Sequence, residues 1–260
     1  REELIIKCNA PTSISNEELL LSYLIQFGMS AIKDVNGDFS GVIYDENAQT
    51  LTLFRDHMGI RPLYYYADNS FMAFSTDIRG LLGLDGVDSS LNEDWIYRTL
   101  SGYFVDSVTS TEYQNIFCVS PASYITFSIK NEKISQEIHS YWQLGKKKIH
   151  YTSFELYKAK LKELVMDSIQ RRLQAIPGKA GAELSGGLDS GVIGILIHRL
   201  GRDCVYFSWS VDPNEIPYAD HDERLIIKDI CKQEHIQCHY SQMKSDRSMN
   251  SLLARQMQSL

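Results

Sequence analysis

A chain of 260 residues, 43% hydrophobic and 23% charged, is long enough for two domains of ordinary size and has the composition of a soluble globular protein. Its net charge of -7 provides no basic surface for nucleic acid, and no run of about 18 apolar residues is present to span a membrane. Five cysteines, Cys8, Cys118, Cys204, Cys231 and Cys238, are scattered without a C-x-x-C pair, so a reduced, cytoplasmic protein without a cysteine metal site is expected. Arg1 stands where a start Met would, with no signal-peptide pattern behind it, and this predicts a fragment.

In chain order, Asn16-Glu17-Glu18 offers a cap and early acids, followed by Leu19, Leu20, Tyr23, Leu24 and Phe27 at helical spacing, with Gly28 as the stop. Residues 39–44, 51–55, 62–66 and 71–75 read as short strands, with turns at Asp45-Glu46-Asn47, His57-Met58-Gly59 and Asp68-Asn69. The alternation in Leu51-Thr52-Leu53 and Phe71-Met72-Ala73-Phe74 predicts one antiparallel sheet. Arg55-Asp56, beside the glycine turn, reads as a structural ion pair. Leu91-Asn92-Glu93-Asp94 opens a short helix to Leu100, and residues 123–129 and 134–141 form a hairpin over Lys130-Asn131-Glu132. The charged run Lys146-Lys147-Lys148 is the linker candidate between domains at 1–145 and 152–260. Thr152-Ser153-Phe154-Glu155 reads as a capping box, and Tyr157, Leu161, Leu164, Val165, Ile169 and Leu173 as one apolar stripe of a long helix.

The second half alternates strand and helix: a strand before Leu184, a helix over 191–199, a strand at 205–211, a helix near 222–233 and a strand at 236–240. Such alternation predicts a parallel sheet, with ligands at the carboxyl ends of its strands. At the first strand-to-helix junction lies Glu183-Leu184-Ser185-Gly186-Gly187-Leu188-Asp189-Ser190. First-turn backbone N–H groups and the helix dipole favour an anion there, and Gly186 and Gly187 let the backbone lie against phosphate oxygens. Ser185 and Ser190 add hydroxyl donors. Asp189 would repel a phosphate, but makes sense as a ligand for a Mg2+ ion bridging to it. The lysine of the commoner nucleotide loop is missing, so dipoles, hydroxyls and metal must do the gripping.

Ser185-Gly186-Gly187-Leu188-Asp189-Ser190 resembles the pyrophosphate loop of the ATP pyrophosphatases, and with Leu184 it is most similar to the asparagine synthetase branch. Asn36-Gly37-Asp38-Phe39-Ser40-Gly41-Val42-Ile43-Tyr44-Asp45 and Arg55-Asp56-His57-Met58-Gly59-Ile60-Arg61-Pro62-Leu63-Tyr64-Tyr65 resemble the central strands of that family's glutaminase domain. The resemblance implies an α+β sandwich of the N-terminal nucleophile (Ntn) hydrolase type, then an α/β parallel-sheet ATP pyrophosphatase domain, both partial. It implies ATP and Mg2+ as cofactors, with ATP held by Leu184, Ser185, Gly186, Gly187, Leu188, Asp189, Ser190 and Val211, and Mg2+ by Asp189. Val211 is the adenine candidate, although Asp212 replaces the family's glycine after it. His221-Asp222-Glu223-Arg224 resembles the family's acidic helix start and reads equally as an N-cap with first-turn acids.

The family's glutaminase nucleophile, an N-terminal cysteine, has no counterpart here, because Cys8 lies in a non-matching context. Asn16 stands at the family's glutamine-holding aspartate, a neutral amide that weakens a bond to an ammonium. The expected function is ATP-dependent amide formation by adenylation of a small-molecule or peptide carboxylate, with asparagine from aspartate, using glutamine or ammonia, as the model reaction. Macrolactam or β-lactam closure and a degenerate nucleotide-binding domain are the alternatives. Glutamine hydrolysis by this chain is not expected. Nothing after Ser241 matches the family's second phosphate loop, Ser-Gly-Glu-Gly-Ala/Ser-Asp-Glu; Met249 to Met257 is only the start of an amphipathic helix. Amide synthesis by this chain alone is therefore not expected either. The open sheet edge after Tyr240 makes a homodimer, or aggregation, an expectation.

Overall fold

The computed structural model describes residues 1–102, 107–130, 133–146, 148–174, 176, 178–219 and 222–241. The helix expected at 249–257, the hairpin turn residues Asn131 and Glu132, Lys147 of the linker run and His221 lie outside the described residues. The chain divides into two compact units, Arg1–Lys146 and Lys147–Leu260.

In the first unit, α1 (Glu2–Cys8) precedes α2 (Asn16–Phe27). The cap of α2 is Ser15 and not Asn16: Ser15 Oγ accepts from Glu18 N–H at 3.1 Å and Glu18 Oε2 accepts from Ser15 N–H at 3.1 Å. This reciprocal pair satisfies two donors, so the helix begins one residue before the acids start. Asn16 is exposed, and its amide oxygen accepts from Arg1 Nη1 at 2.5 Å.

Strands β1 (Ser40–Asp45) and β2 (Thr50–Arg55) form a hairpin, with Asp45 Oδ1 accepting from Asn47 N–H and Ala48 N–H at 3.0 Å each. β3 (Tyr64–Ala67) and β4 (Met72–Ser75) form a second, whose turn is held by Asp68 Oδ1 on Ser70 N–H and Phe71 N–H. The two hairpins belong to different sheets, which corrects the single-meander reading. After α3 (Ile78–Leu82) and α4 (Glu93–Leu100), the strands β5 (Ile116–Cys118), β6 (Ser123–Lys130) and β7 (Lys133–Ser140) complete the antiparallel sheets β1-β2-β6-β7 and β4-β3-β5. Leu53, Ile125 and Phe127 of the first sheet share a core with Tyr65 of the second and with Leu63 and Val119.

The chain leaves the first sheet at Arg55-Asp56. Asp56 is 1% exposed, and its carboxylate accepts from Met58, Ile60 and Arg61 N–H at 3.1, 3.0 and 3.0 Å. Arg55 donates to the carbonyls of Gly59, Arg61 and Val119 at 2.5, 2.9 and 2.8 Å. The expected ion pair between them is replaced by two sets of bonds to backbone, which hold the Gly59 turn from both sides. Gly59 has φ +67°, and a Cβ there would stand 2.9 Å from Pro121 Cγ.

In the second unit, α5 (Phe154–Gln174) starts where Ser153 Oγ accepts from Leu156 N–H at 3.4 Å. Only Ile169 and Leu173 of its expected stripe are buried, whereas Tyr157, Leu161 and Leu164 are exposed. Strands β8 (Ala180–Glu183), β9 (Cys204–Val211) and β10 (Cys238–Ser241) are parallel, in the order β10-β9-β8. α6 (Leu188–Arg199) and α7 (Glu223–Glu234) connect them, and Leu184, Ile197, Tyr206 and Ile227 form the core with Ile169 and Leu173 of α5. Crossover helices between parallel strands put the chain's turns at the carboxyl ends of β8 and β9, where the site lies.

Candidate functional site

The loop from Ser185 to Gly187 is built from its own hydroxyls. Ser185 and Ser190 oxygens are 2.8 Å apart; Ser190 Oγ accepts from Ser185 N–H at 3.2 Å, and Ser185 Oγ accepts from Gly187 N–H at 3.3 Å. Leu184, fully buried, anchors the loop beneath α6, where Gly194 leaves room for it: a Cβ on Gly194 would meet Leu184 Cδ2 at 2.7 Å. Gly187 is the N-cap of α6 and supplies no side-chain cap, so first-turn N–H groups of that helix are left for another acceptor. Asp189 sits in this first turn, exposed, with no hydrogen bond or ion pair to the described residues. Leu188 is 82% exposed, so its side chain contributes no anchor.

Beside the loop is a cleft of about 290 Å³ lined by Glu183, Ser185, Ser208, Trp209, Ser210 and Glu223. Of the residues singled out in the sequence, it takes in Glu183 and Ser185 of the loop run and Glu223 of the acidic helix start. Val211 is not in the lining; its carbonyl accepts from Arg224 Nη1 at 2.8 Å instead. The reason is a register shift in the sheet. Tyr240 pairs with Ser208 but Ser241 with Val211, so Trp209 and Ser210 have no partner in β10, and β8 ends opposite Phe207. A bulge of this kind frees backbone groups next to a site.

Glu223 joins the cleft to the loop. Its carboxylate accepts from Ser210 Oγ at 2.9 Å, and its backbone abuts Gly186. Gly186 has φ +77°, and a Cβ there would stand 2.7 Å from Glu223 O. Gly186→Ala is therefore expected to cost the second unit about 2 kcal/mol through the left-handed backbone and the carbonyl contact, and to distort the loop. Thermal unfolding followed by circular dichroism measures it; an unchanged midpoint would remove the close-packing argument. The N-cap of α7 is Asp222, whose carboxyl the Arg224 guanidinium holds far below the usual carboxylate range. Ser208, Trp209 and Ser210 fall within the strand read at 205–211, of which only the last residue, Val211, was singled out.

Among the described residues no group of three or more His, Cys, Asp or Glu is arranged to hold a metal ion. Mg2+ asks for less, since it is commonly bound by one or two carboxylates together with substrate phosphates and waters. No helix among the described residues is long and apolar enough to cross a membrane.

The glutamine amidotransferase domain family matches residues 1–142, more than half of the chain, and the asparagine synthase family matches residues 160–258. The chain belongs to the asparagine synthetase family. Its relatives include a protein of Methanocaldococcus jannaschii carrying the name asparagine synthetase (glutamine-hydrolyzing) 2, 28% identical over 90% of this chain and 45% of its own length. Asparagine synthetase (glutamine-hydrolyzing) 3 of Bacillus subtilis is 29% identical over 74% of this chain and 30% of its own. Amidase chry2 of Gibberella zeae is 30% identical over 72% of this chain and 27% of its own. The chain thus spans less than half the length of each of these relatives. In this asparagine synthetase family chain, the boundary between the two matched families brackets the start of α5.

Proposed function

We propose that residues 184–190 hold the phosphates of Mg-ATP, and that the whole protein is an ATP-dependent ligase forming an amide from a carboxylate. The observation that carries this reading is the uncapped N-terminus of α6 behind two glycines, at the carboxyl end of a parallel strand, in an asparagine synthetase family chain. The residues fit the nucleotide. The absence of a side chain at Gly186 and Gly187 gives phosphate oxygens direct access to backbone N–H groups, and the Ser185 and Ser190 hydroxyls stand 2.8 Å apart beneath them. Leu184 fixes the loop from below, and Asp189, whose side chain has no partner among the described residues, would take Mg2+. Trp209 and Ser210 replace Val211 as the residues we place at the base side, because they line the cleft and lack a partner in β10.

In this reading the carboxylate attacks the α phosphorus of ATP and pyrophosphate leaves, after which ammonia or an amine attacks the activated carbonyl carbon and AMP leaves. The chain's part is positioning and charge neutralisation. We assign aspartate-to-asparagine conversion as the model reaction and read the first unit, with its two antiparallel sheets, as an Ntn-type sandwich. A small-molecule or peptide carboxylate is the partner, and self-association through the open sheet edges belongs to the same reading. Titration of the chain with Mg-ATP in a calorimeter tests it, with saturable binding near one per chain expected; heat indistinguishable from buffer dilution would remove the site. The name of the Gibberella zeae relative favours amide cleavage as a second reading. Amine release from simple amides without ATP would support cleavage over synthesis.

A further inference from the structure

We propose that Arg224 is a positioning residue for the nucleotide: its guanidinium ties the segment after β9 to the first turn of α7 and so fixes the nucleoside side of the cleft relative to the phosphate loop. The proposal rests on the Mg-ATP reading above.

Arg224 is 6% exposed, and an arginine is rarely buried so far unless all its donors are engaged. Here they are. Nη1 donates to Val211 O at 2.8 Å and to Ile216 O at 2.9 Å, Nη2 to Pro217 O at 3.1 Å, and Nε to both Asp222 oxygens at 2.9 Å. Nη2 also pairs with Asp222 Oδ2. The Tyr218 ring lies 5.4 Å from the guanidinium carbon. The carbonyl of Val211 at the end of β9, the carbonyls of Ile216 and Pro217 in the segment after it, and the N-cap carboxylate of α7 therefore converge on one planar fork, a task that the point charge of a lysine cannot reproduce.

The location gives these bonds their consequence. Val211 directly follows Ser210 of the cleft, and Arg224 directly follows Glu223, the residue against which Gly186 is packed. Shifting the fork would move the unpaired end of β9, Trp209 and Ser210, relative to α7. The bonds internal to the phosphate loop, between Ser185, Gly187 and Ser190, involve no atom of Arg224. Loss of the fork should thus harm the binding of whole ATP more than the binding of its pyrophosphate part. A merely structural role makes no such distinction.

The test uses the whole chain with Arg224→Lys and Arg224→Gln, folded state checked by circular dichroism, and calorimetric Kd values for Mg-ATP and for Mg-pyrophosphate. Arg224→Lys is expected to weaken Mg-ATP about tenfold or more, the scale of one lost charged hydrogen bond, with Mg-pyrophosphate changed less than about threefold. Arg224→Gln is expected to follow the same pattern with a larger loss for ATP. Equal weakening of both ligands, no weakening of either, or a lysine variant that fails to fold overturns the proposal and leaves Arg224 a structural residue. If the unaltered chain binds Mg-ATP but neither substitution moves its Kd, the positioning role is overturned alone; if the unaltered chain does not bind Mg-ATP, the Mg-ATP reading falls with it.

Discussion

Asp189→Ala is expected to raise the Kd for Mg-ATP by about 100-fold, the scale of losing one partner of a close charge pair, while His57→Ala leaves it unchanged. The comparison is clean because of where each residue sits. Asp189 is exposed in the first turn of α6 and has no hydrogen bond or ion pair to the described residues, so its removal leaves no donor stranded. Its one structural contribution, a negative charge near the helix N-terminus, is typically about 0.3–1 kcal/mol. His57 lies in the other compact unit, with Nε2 3.0 Å from Lys33 O and its ring edge-on to Tyr141 and Trp142. The sign of the effect depends on the metal. With Mg2+ chelated, the aspartate carboxylate only repels the phosphates, so the alanine variant should bind free ATP as well as the unaltered chain or better. Calorimetry with and without chelator reads both halves. Equal Mg-ATP binding by the two variants would remove the metal role from Asp189.

The same distinction between local and distant causes decides how much was legible in the sequence. The hairpins were readable because Asp45 and Asp68 set their turns within a few residues, and α7 because Asp222 and Glu223 mark its start. The run at 184–190 stood out because its residue types answer one chemical need within a single stretch. What spans the chain was hidden. The division of four strands between two sheets follows from β6, about 70 residues downstream, pairing with β2, and from β5 pairing with β3. The three residues of β5 and the five of α3 are too short to show a period. Ser208, Trp209 and Ser210 lie within the strand read at 205–211, but the register shift between Tyr240 and Ser241 that leaves Trp209 and Ser210 without a partner in β10 is announced by no spacing within β9. Arg224 looked like one of several charges at a helix start. Its carbonyl partners are contributed by backbone, and backbone acceptors leave no mark in residue identity.

Asp56→Ala is expected to destabilise the first unit by about 3–5 kcal/mol, because it strands backbone donors in a closed turn. The carboxylate accepts from Met58, Ile60 and Arg61 N–H groups, and the backbone of Asp56 ties in as well: its N–H donates to Phe39 O at 2.8 Å and its carbonyl accepts from Ala122 N–H at 2.9 Å. Asp56→Asn retains one acceptor and should cost less. Burial by itself would raise the Asp56 carboxyl, but the N–H groups of Arg61, Ile60, Met58 and Gly59 outweigh it, and the net shift is below the ordinary 3.8. A carboxyl held lower in the folded state than in the unfolded one contributes stability that is fully present above the unfolded value, about 3.9, and is lost as pH falls through the lowered folded value. The gap between the unaltered chain and Asp56→Asn should therefore stay constant from neutral pH to about pH 5 and narrow below about pH 4. Amide hydrogen exchange at Met58, Ile60 and Arg61 reports the turn directly and separates it from unfolding of the second unit. Protection at these three amides that survives Asp56→Ala, or a stability gap that widens with acid, would show that the turn is held by Arg55 and the carbonyls alone.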